Sequence, residues 1–199
     1  MKKIMFNDRF GLTEKVLDGN KTQTRRIVSQ SVIDKVEEFR VEYYNMTFDA
    51  LTTKESLQQY FFAEKLGKLP YKVGEIVAVA QSYKEVFGEG CGKESETGYS
   101  NKMFVKPELM PHQIRITDVR IEKLQDISEE DVFKEGFDFR FDLESGSEIA
   151  TDFFLDYQNG RISDSCPQTA YSKLIESISS KGTWSSNPFV FVYDFELVK

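Results

Sequence analysis

Five residues, Ile76-Val77-Ala78-Val79-Ala80, form an uninterrupted and mostly β-branched apolar run. It is entered through the turn Leu69-Pro70-Tyr71-Lys72-Val73-Gly74-Glu75. Such a run is the pattern of a strand buried on both faces. Gln81, Ser82 and Tyr83 read as its continuation. Two longer strands are expected downstream. In Gln113 to Leu124, Ile114 and Ile116 are followed by Val119 and Ile121, so the spacing predicts a kink or bulge near Asp118. Phe189 to Val198 is a long closing strand, and Lys3–Phe6, Thr22–Val28 and Met103–Val105 are short ones. Strands and helices do not alternate regularly. This argues for an α+β fold, a small mixed β-barrel flanked by helices, rather than a doubly wound sheet.

The helical signals are local. Asn7 is a candidate N-cap for Asp8 to Asp18, and Gly19 is where a left-handed cap is expected. Ser128 caps a helix that starts with Glu129, Glu130 and Asp131 and ends at Gly136; Asp131 stands where a capping-box carboxylate would. Further helices are expected at Val32–Phe39, Lys54–Leu66 and Thr169–Ser179, the last with Ala170, Leu174, Ile175 and Ile178 inward. An aromatic patch of Tyr43, Tyr44 and Phe48 lies between the first two. Residues 138 to 164 are polar, with some helical or packing character around Phe153, Phe154, Leu155 and Tyr157, and 183 to 188 reads as a loop. The glycines between Gly88 and Gly98 carry no phosphate-cradling spacing, so a mobile loop is expected there. The whole is read as one domain over residues 1–199, with insertions at about 29–68, 84–102 and 138–168.

Composition narrows the function. With 17 Phe and 9 Tyr, disorder over most of the length is not expected. The net charge of −7 argues against coating nucleic acid nonspecifically and leaves room for a local basic cleft. Two distant cysteines, Cys91 and Cys166, and a single histidine, His112, make a zinc site improbable, and no metal or cofactor is expected. No apolar stretch approaches signal-peptide or membrane-span length, so no membrane partner and a cytoplasmic location are expected, with the two thiols inert. Oligomeric state is left open.

The densest run of cationic and hydroxyl side chains is Gly19-Asn20-Lys21-Thr22-Gln23-Thr24-Arg25-Arg26. If residues 22 to 28 are extended, Thr22, Thr24 and Arg26 share one side, Gln23, Arg25 and Ile27 the other, and Lys21 lies in the bend. A hydroxyl and a guanidinium beside an ammonium suit an anionic or carbonyl-bearing ligand. The plainer alternative is a solvated edge strand.

Four segments, in order, resemble the ASCH domain family and its PUA-like barrel, most of all the branch found in phage and prophage proteins. They are Ile4-Met5-Phe6 through Arg26; Tyr71-Lys72-Val73-Gly74-Glu75-Ile76-Val77-Ala78-Val79; Arg115 through Asp131, ending in Lys134-Glu135-Gly136; and Lys181-Gly182-Thr183-Trp184 with Asn187-Pro188-Phe189-Val190-Phe191-Val192. The resemblance implies that RNA, a nucleotide or a modified nucleoside binds in a cleft beside the barrel. A small bacterial member hydrolyses the acetyl amide of N4-acetylcytidine, and motif matching carries its catalytic set onto Lys21, Thr24 and Glu135. That chemistry needs a lysine amine within about 2.6–3.2 Å of a threonine hydroxyl. Arg25 and Arg26 would hold a phosphate or carbonyl oxygen, and Tyr83 and Trp184 would stack on a base. Gln81, Ser82 and Tyr83 stand where the phage-type pattern has Arg-Glu followed by Thr and Trp, and His112 where it has Arg; these changes reshape the pocket. The plainer readings are a strand Thr, a solvated Glu135, an Arg26 paired to a carboxylate, a structural His112 and a Trp184 that plugs the barrel end. Three roles follow: a binding module, an amidohydrolase on an acylated nucleoside, or a phage-associated structural or regulatory protein whose cleft the insertions fill.

Overall fold

The computed structural model describes residues 1–47, 50–62, 69–141, 150–158 and 160–198. Phe48, the end of the expected Lys54–Leu66 helix and part of the 138–168 stretch lie outside them. A five-stranded sheet forms the body, built from β1 (Lys2–Ile4), β2 (Gln23–Ile27), β3 (Ile76–Val79), β4 (Gln113–Lys123) and β8 (Phe189–Leu197). Its order is β1-β3-β4-β8-β2, parallel only between β1 and β3. A second sheet holds β5 (Asp138–Phe141), β6 (Ala150–Tyr157) and β7 (Gly160–Asp164) as an antiparallel meander. Seven α-helices occur among the described residues: α1 (Leu12–Leu17), α2 (Gln30–Thr47), α3 (Thr53–Phe62), α4 (Tyr83–Phe87), α5 (Glu129–Lys134), α6 (Pro167–Ile178) and α7 (Thr183–Ser186). This is the expected α+β class. No helix among the described residues is long and apolar enough to cross a membrane.

The sheet's register follows from its apolar pattern. In β4, Ile114 and Ile116 face the core, then the register shifts between Ile116 and Asp118, and Val119 and Ile121 face it in turn. Without the extra residue, strict alternation would turn Asp118 and Arg120 inward. β8 lies between β4 and β2, and Val190 to Tyr193 are all buried.

Side chains bridge the two edge strands. The Tyr71 hydroxyl donates to the Lys3 carbonyl at 3.0 Å, and its ring meets Tyr193 of β8 edge-on at 5.3 Å. Arg26 of β2 donates to the Met5 carbonyl, just past β1, at 2.6 Å. No main-chain hydrogen bond joins β1 to β2 among the described residues. The curled sheet therefore has a seam.

Several expected elements differ. The Asp8–Asp18 helix is broken at Gly11 (φ 65°) into a 3-10 turn, capped by Asn7, and α1. Gln81 to Tyr83 does not prolong β3: the Ser82 hydroxyl accepts from the Glu85 amide and the Glu85 carboxylate accepts from the Ser82 amide, a complete capping box that starts α4. The glycine-rich stretch is tied down, with the Tyr83 and Lys84 amides donating to the Gly98 and Tyr99 carbonyls. Met103–Val105 is not a strand, since Asn101 caps a 3-10 turn over Lys102–Phe104. The 183–188 loop contains α7, and residues 138 to 164 hold strands, with Phe153 and Leu155 buried at alternate positions.

Candidate functional site

Lys21 leaves the turn made by Gly19 (φ 75°) with its amide bonded to the Lys15 carbonyl at 2.8 Å, while the Thr22 amide bonds to the Lys134 carbonyl at 2.9 Å. The ends of α1 and α5 thus fix the bend. The side chain goes inward, not outward: Lys21 is 2% exposed and Glu135 is 3% exposed. Buried lysine and glutamate are rare unless paired. Here the Lys21 ammonium donates to Glu135 Oε2 at 2.5 Å and to the Glu135 carbonyl at 2.9 Å. Gly136 (φ 104°) turns the chain immediately after Glu135.

Glu135 Oε1 is held by two other donors. Arg25 reaches it at 3.1 Å and the Tyr171 hydroxyl at 3.3 Å. Arg25 also donates to Asp131 at 2.7 Å and Glu122 at 3.2 Å. Gln23 donates to Asp131 at 2.9 Å and Asp194 at 2.7 Å, and Arg120 closes the cluster on Asp131, Glu122 and Asp194. The electrostatics follow the packing. Burial pulls the Lys21 ammonium below its ordinary pKa, against the opposing charge and hydrogen bond of Glu135. Burial pushes the Asp131 carboxyl up, but the Gln23 and Arg25 hydrogen bonds and the Arg25 and Arg120 charges together hold it lower than usual. The Tyr171 phenol is pushed well up by burial and by Glu135.

A small chamber of about 50 Å³ is lined by Lys21, Thr24, Glu135 and Tyr171 together with apolar side chains of α6. Beside it lies a cleft of about 400 Å³ at the seam, walled by Met5, Phe6 and Asn7 on one side and Arg25, Arg26 and Ile27 on the other. The two share Phe6, Asn7, Arg25, Arg26, Ile175 and Ile178. Among the described residues, no carboxylate lines the larger cleft, nor does any residue of the 29–68, 84–102 or 138–168 stretches.

The structure therefore brings Lys21, Thr24 and Glu135 together, with Arg25 and Arg26 beside them. One detail differs from the catalytic expectation: Lys21 is hydrogen-bonded to Glu135 and not to Thr24. Glu135 is buried in the ion network, against the plainer reading of a solvated side chain. Arg25 is bound to three carboxylates, which leaves Arg26, over the Phe6 ring, as the cation facing the cleft. Gln81 lies elsewhere, in a cleft of about 450 Å³ with Asp8, Arg9, Glu14 and Glu85. Tyr83 cannot stack on a base: it is 1% exposed, packed with Ala78, Ala80, Val105 and Met110, and its hydroxyl accepts from the Lys106 amide. His112 sits half-buried at the β3 end, its carbonyl bonded to the Val79 amide, outside the cleft. Trp184 packs edge-on against Tyr171 at 6.3 Å, on the core side of α6.

Sequence reasoning missed Gln23, Glu122, Arg120, Asp131 and Tyr171. Tyr171, Leu174, Ile175 and Ile178 share one helical stripe that faces the chamber, so the period of α6 held the signal for Tyr171. Asp131 is the hardest case. Its amide donates to the expected Ser128 cap, but its carboxylate turns inward to Gln23 and Arg25.

No family model matches the chain, and no curated protein does. Two solved structures are similar to it. One is a protein of the family DUF984 from Enterococcus faecalis V583, at 12% identity and a TM-score of 0.42, covering 100% of this chain and 77% of that one. The other is an ASCH domain from Lactobacillus crispatus JV V101, at 13% identity and a TM-score of 0.37, covering 97% of this chain and 76% of that one. The family that the four sequence segments resemble, the ASCH domains, is also the family of the second structure.

Proposed function

We propose that this protein binds RNA or a nucleotide, with a base in the seam cleft and a phosphate at Arg26. The observation that carries this reading is the charge of the cleft. In a chain of net charge −7, its lining includes Arg26 and, among the described residues, no carboxylate. An arginine with few competing partners is suited to a phosphate. The open cleft, lined by none of the described residues of the three long stretches, speaks against a vestigial pocket filled by them. The test is fluorescence anisotropy with a labelled single-stranded 12-nucleotide RNA of mixed sequence. Arg26→Gln weakens binding by about tenfold or more and lowers the salt dependence. Absence of binding by folded wild type, or no change in Arg26→Gln, overturns the reading.

A second reading is favoured by the buried Lys21–Glu135 pair beside Thr24. In an amidohydrolase on an acylated nucleoside such as N4-acetylcytidine, Thr24 Oγ1 bonds to the acyl carbon and its proton passes to a neutral Lys21. The same proton then goes to the departing amine as the C–N bond breaks, and water releases the acyl group from Thr24. Burial favours the neutral amine this requires. Release of free cytidine from N4-acetylcytidine, lost in Thr24→Val, supports it; no turnover by folded wild type removes it.

A further inference from the structure

β2 keeps one row of its main-chain groups unspent. The Val28 amide donates to the Phe189 carbonyl, and the Thr22 carbonyl accepts from the Phe195 amide, both toward β8. Between them the register runs one to one from Gln23↔Asp194 to Ile27↔Val190. In an antiparallel pair, hydrogen-bonded and non-hydrogen-bonded positions alternate. Thr24 and Arg26 are therefore the bonded positions, and the N–H and C=O groups of Gln23, Arg25 and Ile27 point away from β8. Those of Arg25 and Ile27 point to the seam, where both residues line the cleft of about 400 Å³. No main-chain or side-chain group among the described residues is bonded to them.

An N–H and a C=O carried side by side by one extended residue present an adjacent donor and acceptor. Their complement is an adjacent acceptor and donor on a planar ligand, which every base carries on its Watson–Crick edge. A strand from a peptide has the same complement, but the seam does not suit one. Of the outward-facing residues only two, Arg25 and Ile27, line the cleft, and the Arg26 side chain crosses the gap to the Met5 carbonyl, across the path an added strand would take. A compact heterocycle fits beside that bridge, against the Phe6 ring and the apolar side chains of Ile175 and Ile178.

We infer that the free edge of β2 reads an unpaired base through its main chain, with Ile27 at the mouth and Arg25 deeper. This rests on the RNA- or nucleotide-binding reading of the same cleft and adds to it the way the base is held. A base read on its Watson–Crick edge must be unpaired, so the ligand is single-stranded.

The test uses a substitution that removes a main-chain donor. Ile27→Pro deletes the outward N–H without touching the ladder to β8, as proline permits on an edge strand. Ile27→Ala removes the side chain and keeps the N–H. With the labelled single-stranded 12-nucleotide RNA, Ile27→Pro binds about tenfold more weakly and Ile27→Ala stays within about threefold of wild type. The same RNA annealed to its complement binds at least about tenfold more weakly than the single strand. If Ile27→Pro unfolds, the amides of Arg25 and Ile27 are followed in the wild type by ¹⁵N-resolved spectra. RNA shifts both downfield and slows their exchange. Equal binding by Ile27→Pro and wild type, equal losses in Ile27→Pro and Ile27→Ala, equal binding of duplex, or unmoved amides overturns the inference while the RNA-binding reading stands. Displacement of the RNA by a strand-forming pentapeptide that shifts the same amides overturns it in favour of peptide docking. No RNA binding by the wild type removes the broader reading itself.

Discussion

Lys21 and Thr24 line the same chamber, yet they hold different positions in the energetics. Lys21 is buried against a carboxylate that also carries Arg25 and Tyr171. Removing its charge leaves Glu135 with a free lone pair and less compensation, so Lys21→Met costs about 3 kcal/mol in a denaturant titration. Thr24 is 4% exposed and its hydroxyl makes no hydrogen bond among the described residues. Thr24→Val therefore changes stability by less than about 1 kcal/mol, because no partner is orphaned. A Thr24→Val chain that unfolds as readily as Lys21→Met would mean that the hydroxyl has a structural partner. At this scale the sequence was partly legible. The turn at Gly19, the cap at Ser128 and the residue types near Lys21 were all readable. The inward turn of Asp131 was not, because its fate depends on Gln23 and Arg25, more than a hundred positions earlier in the chain.

Among the elements, long apolar patterns were readable and short polar ones were not. β4, with its bulge, and β8 carry enough buried residues to fix both period and register. The β5–β7 meander has few buried positions, and charged residues dominate its alternation, so its period of two was easy to overlook. Ser82 illustrates a different failure. Gln81, Ser82 and Tyr83 read as an extension of β3, while the Ser82-Tyr83-Lys84-Glu85 spacing held a capping box. The same place gives a sharp packing test. A Cβ at Gly98 would lie 2.6 Å from the ring of Tyr83, which is fully enclosed and unable to swing away. Gly98→Ala lowers stability by about 1–3 kcal/mol, read as the thermal midpoint, and Tyr83→Leu in the same chain recovers part of the loss. Failure of the second change to recover any would place the strain elsewhere.

Across the whole molecule, one partly buried cluster joins three cations to four carboxylates of an acidic chain. Lys21, Arg25 and Arg120 are all engaged with Glu135, Asp131, Glu122 and Asp194. Asp131 titrates below its ordinary value in the folded state, although burial works against this. Such a carboxyl contributes stability above its unfolded pKa of about 3.9, and that contribution is lost as pH falls through the lower folded value. Asp131→Asn is therefore less stable than wild type by about 2 kcal/mol at pH 7, and the gap narrows in titrations below about pH 4. A gap that stays constant with pH would mean that the carboxylate charge contributes nothing to folding.

The order of the strands sets when the chamber can exist during folding. Among the described residues the main chain of β2 is paired only to β8, and the Gln23 side chain meets Asp194 across 171 positions of chain. β1, β3 and β4 can assemble with one another earlier, since their pairings need no part of β8. Until β8 arrives between β4 and β2, the segment carrying Lys21, Thr24 and Arg26 has no neighbour to hold it extended. A loop of that length closes slowly. On a ribosome, this wall of the cleft is thus assembled only after nearly all the chain described here has been made, so a stalled or shortened product that ends before β8 lacks the cleft.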